Sequence, residues 1–351
     1  LSSLTPRFLD SLRFSAADAS QLRALGEARG RQQLFARRTP EFLATLKTAA
    51  IIESTESSNR IEGVTAPRAR IDALITERSE PRDRSEQEIA GYRDALKLIH
   101  DSAEHMTFSV NVILQLHAML YSYHGGSGGR WKMTQNEIVE RDSSGKVTRI
   151  QFVPPGPVET PQLMHDLVDR YASALDAARD PLIIAPLAIL DFLCVHPFSD
   201  GNGRTSRLLT LQLLYRAKLD VGRFISLERI VEQSKETYYE ALERSSQRWS
   251  DGAHDALPWL RYFWGMTLRA YKEFEERAGS IRAGRGAKTD MVEHAVMRRV
   301  GPFAISDIEI DTPGVSRDWI RMVLRRWKAE GKIVAQGKGR GARWVRVEPR
   351  A

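Results

Sequence analysis

Residues 182–195 are the most apolar run of the chain, and Asp191 is the one charge within them. The run is too short for a bilayer span and carries a carboxylate, so a buried helix of a globular protein is predicted. It ends at His196 and Pro197, a Gly-rich loop follows, and a second apolar helix is predicted to start near Asn202 or Gly203. Most of 1–276 shares this helical rhythm. Windows at 42–56, 85–102, 109–121, 161–177, 233–249 and 257–277 place apolar residues three and four apart. They contain few β-branched runs and are separated by Pro or Gly, which is the pattern of helices. The predicted fold class is mainly α.

One stretch departs from that rhythm. Ile138, Val139, Val147, Ile150, Phe152 and Val153 surround 142–145, and Pro154-Pro155 follow, a hairpin signal over 136–153. A lone hairpin has no large sheet to join, so its backbone edge is open to a partner strand. A surface flap without a partner fits the spacing equally well.

The chain has 351 residues, enough for two or three domains and for a core that needs no staples. With 42% hydrophobic and 28% charged residues, wholesale disorder is excluded. Cys194 is the single cysteine, which excludes an internally disulfide-bonded scaffold. The first residues lack the apolar region of a signal peptide, and the missing Met suggests a processed start. A cytoplasmic protein with no membrane partner is expected. No structural zinc is expected either: His117 and His124 are seven apart with no carboxylate or Cys pattern around them.

The net charge of +7 is unevenly placed. Residues 277–351 hold 17 basic against 8 acidic residues, whereas 1–276 hold 35 against 37. The entrance to this basic part, 277–288, is Gly-rich and without an acid, and reads as a linker. Beyond it a helix is predicted at 289–299 before Pro302, then a short apolar piece (Phe303, Ile305, Ile308) and a turn at 311–314. A strong helix follows at 316–330, with Ser316 as N-cap and Asp318 in its first turn. Ile320, Val323, Leu324 and Trp327 form its apolar stripe, and Arg317, Arg321, Arg325 and Lys328 fall largely opposite. Strands at 332–335 and 343–347 flank a Gly/Lys/Arg-rich tip. This order is that of a winged helix-turn-helix, which would dock its basic helix on DNA. Reuse of such a unit for protein contacts or dimerisation is the alternative.

The chemistry concentrates at His196-Pro-Phe198-Ser-Asp200-Gly201-Asn202-Gly203-Arg204-Thr-Ser-Arg207. A Gly loop entering a helix N-terminus is an anion cradle. Arg204 and Arg207, three apart, can grip successive phosphates. Asp200 offers a hard oxygen for Mg²⁺ held jointly with phosphates. His196 can take a proton from a hydroxyl. This run resembles the Fic family signature HxFx(D/E)GNGRxxR at every fixed position. The resemblance extends over the hairpin and the N-terminal helices, and many relatives also end in a winged helix.

The resemblance implies transfer of AMP from ATP to a Ser, Thr or Tyr hydroxyl of a target protein, itself included. It makes His196 the general base and Asp200 the Mg²⁺ ligand. Gly201, Asn202 and Gly203 would hold phosphates, Arg204 and Arg207 would clamp the outer ones, and Phe198 would anchor the loop. Relatives that act as kinases typically carry Lys where this chain has Gly203, which favours nucleotidyl transfer. Upstream, Ser58, Glu62 and Gly63 resemble the family's inhibitory pattern (S/T)xxxE(G/N), in which the glutamate takes the second arginine, here Arg207. Tyr239 and Leu242 resemble a stretch lining the nucleotide base, although the usual Asn is Ser246 here. Trp131 and Arg130 lead into the hairpin and are placed to guide a target strand, although ordinary packing is the expected role of Trp131.

The expected organisation is therefore an N-terminal helical region with the inhibitory motif (1–100), an all-helical Fic core with a hairpin flap (101–276), a linker (277–288) and a winged helix-turn-helix (289–351). A target protein would dock on the 136–153 flap, DNA is an expected partner of 289–351, and a homodimer is left open. The alternative is a DNA-binding regulator or toxin-like protein whose core senses nucleotide, uses another donor or removes AMP.

Overall fold

The computed structural model describes residues 3–36, 40–76, 79–125, 128–141, 147–279, 287–297, 299, 301–312, 315–337 and 343–347. The predicted turn at 142–145, most of the 277–288 linker, part of the 311–314 turn and the tip at 338–342 lie outside them. The described residues are mainly helical, with two small antiparallel hairpins. No described helix is long and apolar enough to cross a membrane.

The apolar run becomes helix α8 (Pro181–Val195) at the centre of the molecule. Asp180 caps it by accepting from the Leu182 N–H at 2.8 Å, and Pro181 occupies the first turn, where a missing N–H goes unnoticed. Pro186 lies inside the helix and cannot donate to the carbonyl four residues back, that of Leu182. The indole of Trp264 supplies that bond at 2.8 Å, and the indole of Trp259 donates to the Pro186 carbonyl at 2.7 Å. Both tryptophans stand on α12 (Leu257–Gly279), which thereby clasps α8. Helices α9 (Asn202–Arg216) and α7 (Thr160–Asp176) pack against α8 as well.

Asp191, the charge in the apolar run, is buried and fully engaged. It accepts from the Ser3 N–H and hydroxyl and from the Trp249 indole at 2.7 Å. Three further helices deliver side chains to the centre: α3 (Pro40–Ile61), α5 (Arg84–Ser102, capped by Asp83) and α6 (Val110–Leu120, capped by Ser109). Helix α3 runs five residues beyond its predicted end, through Ser58, and stops because Gly63 turns left-handed at φ 80°. The predicted window at 233–249 is divided instead: α10 (Leu227–Gln233), α11 (Lys235–Ser246) and a short turn at Trp249–Asp251. Ser234 returns its hydroxyl to the Ile230 carbonyl at the first break, and Arg248 takes φ 59° at the second.

The hairpin pairs β1 (Ile138–Arg141) with β2 (Val147–Phe152), with Ile138 opposite Phe152 and Val139 opposite Ile150. Arg149 pairs with Glu243 on α11, tying the hairpin to the core. In the tail, α13 (Ala287–Met297), α14 (Ile305–Asp311) and α15 (Arg317–Ala329) precede β3 (Ile333–Gln336) and β4 (Arg343–Arg346). The predicted apolar piece at 303–308 is largely helical, because Asp307 accepts from the Ala304 N–H at 2.7 Å and caps α14. Ser316 caps α15 as predicted, and Ile320, Val323, Leu324 and Trp327 are buried. Phe303 bridges to Trp344 through both backbone bonds, widening the second hairpin.

Candidate active site

The loop between α8 and α9 is shaped by two left-handed residues. His196 closes α8 at φ 50°, its N–H still donating to the Phe192 carbonyl at 2.9 Å. Its ring Nδ1 lies 3.3 Å from the Leu193 carbonyl, which can only accept. Nδ1 therefore carries the proton, and Nε2 keeps its lone pair. Gly201 opens α9 at φ 79°, and a Cβ there would press on the Tyr121 hydroxyl at 2.9 Å. Among the described residues no side chain caps this end of α9, so its first amides remain available to an anion.

Inside the loop, Asn202 folds back on Phe198: its Oδ1 accepts from the Phe198 N–H at 2.9 Å and its Nδ2 donates to the Phe198 carbonyl at 2.8 Å. The Asn202 side chain thereby closes the loop on Phe198. Phe198 is buried and stacks on the His117 ring at 3.6 Å with an interplanar angle of 1°. His117 accepts from the Gly129 N–H at Nδ1 (2.8 Å) and so donates from Nε2 to the Asp200 carbonyl (3.0 Å).

The two arginines are both buried and both occupied by carboxylates. Arg207 donates to the Ser58 hydroxyl at 2.8 Å, the Ser58 carbonyl at 3.0 Å and Glu62 Oε1 at 2.7 Å. The Glu62 carboxylate rests on Gly203, where any Cβ would overlap it. Arg204 donates to Glu88 on α5 at 2.5 Å and to the Tyr121 hydroxyl at 3.1 Å, and sits 3.6 Å from Asp200 Oδ2. Asp200 itself accepts from the Gly201 N–H at 2.7 Å and is largely exposed.

These groups line two clefts. The first, of about 300 Å³, gathers Glu62, His196, Gly203, Arg207, Tyr239, Leu242 and Ser246 beside the inner face of the hairpin. The second, of about 290 Å³, gathers Asp200, Arg204, Glu88, Arg84 and Gly63. Glu62 lines both. Of the predicted site residues, His196, Gly203, Arg207, Tyr239 and Leu242 thus share one cleft with Glu62. Gly63, Asp200 and Arg204 share the other with it, and Gly201, Asn202 and Ser58 line neither of the two. Glu88, Tyr121 and His117 were not singled out for this site from the sequence. Each lies 83 or more residues from its loop partner, and no local pattern marks such a contact.

Burial lowers the His196 pKa to about 4, against a weaker upward pull from the Leu193 carbonyl, so its ring is neutral near pH 7. His117 is likewise held down to about 4 by burial. Burial alone would raise the Asp200 carboxyl, but Arg204, the Tyr121 hydroxyl and the Gly201 N–H outweigh it and keep it ionised. Arg207 is pushed up: Glu62 and the surrounding tyrosines overcome the desolvation that would lower it.

Comparison with known families bears on this loop directly. Residues 107–214 match the Fic/DOC family model. The Fic match encloses the hairpin and the whole of 196–207, while Glu62 and Tyr239 lie outside it. The chain is 26% identical over 220 residues to the protein adenylyltransferase Fic of Nematostella vectensis, covering 60% of this chain and 46% of that protein. It is 30% identical over 216 residues to the protein of the same name in Drosophila willistoni, covering 60% and 39%. The chain thus spans less than half the length of these relatives. Its fold is similar to that of a Fic family protein from Desulfovibrio desulfuricans, with TM-score 0.61 and 19% identity over 97% of this chain and 98% of that one.

Proposed function

We propose that the protein transfers AMP from ATP to a Ser, Thr or Tyr hydroxyl of a target protein, itself included, and that Glu62 restrains the transfer. In this reaction Nε2 of His196 takes the proton of the incoming hydroxyl. The freed oxygen bonds to the α-phosphorus, the bond to the bridging oxygen breaks, and pyrophosphate leaves with that electron pair. The amides at the start of α9, with Arg204 and Arg207, offset the charge that develops. Tyr239 and Leu242 would hold the base.

Asp200 fits a Mg²⁺ ligand: Mg²⁺ uses one or two carboxylates and completes its shell with phosphates and water, and this carboxylate is exposed and ionised. When bound, the cation would supply positive charge to the polyphosphate.

The observation that carries the restraint is the Glu62 carboxylate, seated on Gly203 and paired with Arg207. A guanidinium engaged by a carboxylate cannot also offer full geometry to a phosphate. The test is incubation with α-labelled ATP and Mg²⁺ of the wild type, Glu62→Gly and His196→Ala. Glu62→Gly should raise label on protein, and adding His196→Ala should lower it by about 10²–10⁴-fold. Equal labelling of folded wild type and Glu62→Gly would refute the restraint. No transfer from any nucleotide would favour the regulator reading.

The same proposal takes 289–351 as a winged helix-turn-helix that binds DNA and the free edge of the 136–153 hairpin as the dock for a target strand. The division at 1–100, 101–276, 277–288 and 289–351, and a cytoplasmic setting, belong to it as well.

A further inference from the structure

The segment leading into β1 spends its side chains on the loop that carries His196. Lys132 is only 1% exposed. Its ammonium donates to the Val195 carbonyl at 3.1 Å and to Asn136 Oδ1 at 2.9 Å. The backbone N–H of Lys132 donates to the Pro197 carbonyl at 2.9 Å. Asn136 Nδ2 donates to the His196 carbonyl at 3.3 Å and the Phe198 carbonyl at 3.0 Å. Two residues four apart thus hold the carbonyls of Val195, His196, Pro197 and Phe198 in succession.

These carbonyls follow a helix C-terminus, where intrahelical donors run out. They also bracket a non-glycine residue in the left-handed region, a conformation that persists only where the surroundings over-determine it. Burying an ammonium against neutral oxygens is unfavourable, and burial brings Lys132 down to about 8. An apolar residue would fill the same space without that penalty. What an apolar residue lacks is a donor for Val195 and a positive charge at the negative end of the α8 dipole.

We propose that Lys132 and Asn136 are positioning residues that hold His196 in its left-handed conformation and transmit the placement of the hairpin to the candidate base. The proposal rests on reading His196 as that base. Asn136 is two residues from Ile138, where β1 begins, so any displacement of the strand reaches the His196 carbonyl through one side chain. The charged groups facing His196 are Lys132 from this segment, Glu62 from the end of α3 and Asp200 from its own loop. The first lowers its pKa and the other two raise it.

The test places Lys132→Met, Lys132→Arg and Asn136→Ala in the Glu62→Gly background, with α-labelled ATP as probe and self-labelling as reaction. Lys132→Met and Asn136→Ala should lower the labelling rate about 100-fold, the scale on which a 1 Å misplacement acts. The KM for ATP should stay within about threefold, since ground-state binding is not what they serve. Lys132→Arg should restore the rate. The His196 ring, followed by NMR, should titrate higher in Lys132→Met than in the parent and unchanged in Lys132→Arg. A folded Asn136→Ala or Lys132→Met protein with the parental rate overturns the proposal, as does a loss carried by KM. If Lys132→Met does not fold, Asn136→Ala, which leaves the ammonium on Val195, decides. Should the parent itself transfer no label, it is the AMP-transfer reading that fails. The His196 ring titration and backbone shifts in the same variants then still decide whether these residues position it.

Discussion

His196 is neutral near pH 7 because it is buried, and Glu62 pulls against that burial. Removing Glu62 therefore lowers the ring pKa further, in the direction that keeps the base unprotonated. Transfer by Glu62→Gly should accordingly show no inflection near the ordinary histidine value of about 6.5. Its kcat/KM should stay level from about pH 8 to 6 and fall only toward pH 4, as the ring gains its proton. A half-maximum near 6.5 would contradict this. The residues of this loop were legible in the sequence because their chemistry is contiguous: base, carboxylate, glycines and arginines fall within 196–207. Glu62 was legible only through a family resemblance, since it reaches Arg207 across 145 residues. Lys132 and Glu88 left no such trace. A buried lysine and an exposed one are the same letter, and only packing distinguishes them.

At the scale of elements, the helical windows were read correctly in kind because amphipathic spacing reports which face is buried. Their ends were not, because capping depends on partners. Gly63 stops α3 only after the helix has delivered Ser58, and Ser234 divides what reads as one helix. Helix α15 shows the same distinction among its cations. Arg317 pairs with Glu309, Arg321 with Asp318 and Arg326 with Glu293, whereas Arg325 and Lys328 are exposed without an acidic partner among the described residues. If this helix meets DNA phosphates, these two should carry the binding. Arg325→Ala with Lys328→Ala should weaken duplex binding for all sequences and reduce the salt slope by about 2, one for each phosphate no longer neutralised. Unchanged affinity in a gel-shift titration would remove DNA from the reading of 289–351.

Across the whole molecule, burial of histidines sets a pH limit on stability. His100, His117 and His196 are lowered to about 3, 4 and 4, each by burial first. Unfolded, each returns to about 6.5. Between pH 4 and 6.5 the unfolded chain binds more protons than the native one, so stability falls as pH falls through that window. It should be complete above 6.5. Glu86, depressed to about 2 by its bonds with Arg70, and Asp18, lowered by Arg261, give up their contributions only below the ordinary carboxylate range near 4. Melting temperature should thus drop steadily from about pH 7 to 5, with each histidine contributing up to about 1.4 kcal/mol per pH unit. His100→Gln should flatten the slope. A level melting temperature over that range would contradict the burial assigned to these rings.

Glu62 belongs to the walls of two chambers at once. One is lined by the groups proposed for the base and the proton transfer, the other by those proposed for the cation. On the proposed reading, such a shared wall separates occupancy from commitment: an adenosine moiety lodges on one side while Glu62 holds the Arg207 guanidinium that the polyphosphate needs. The resting molecule would then be loaded but silent. Once the wall swings aside, the first turnover would not wait for nucleotide to diffuse in, and the lag would be that of a side-chain rotation.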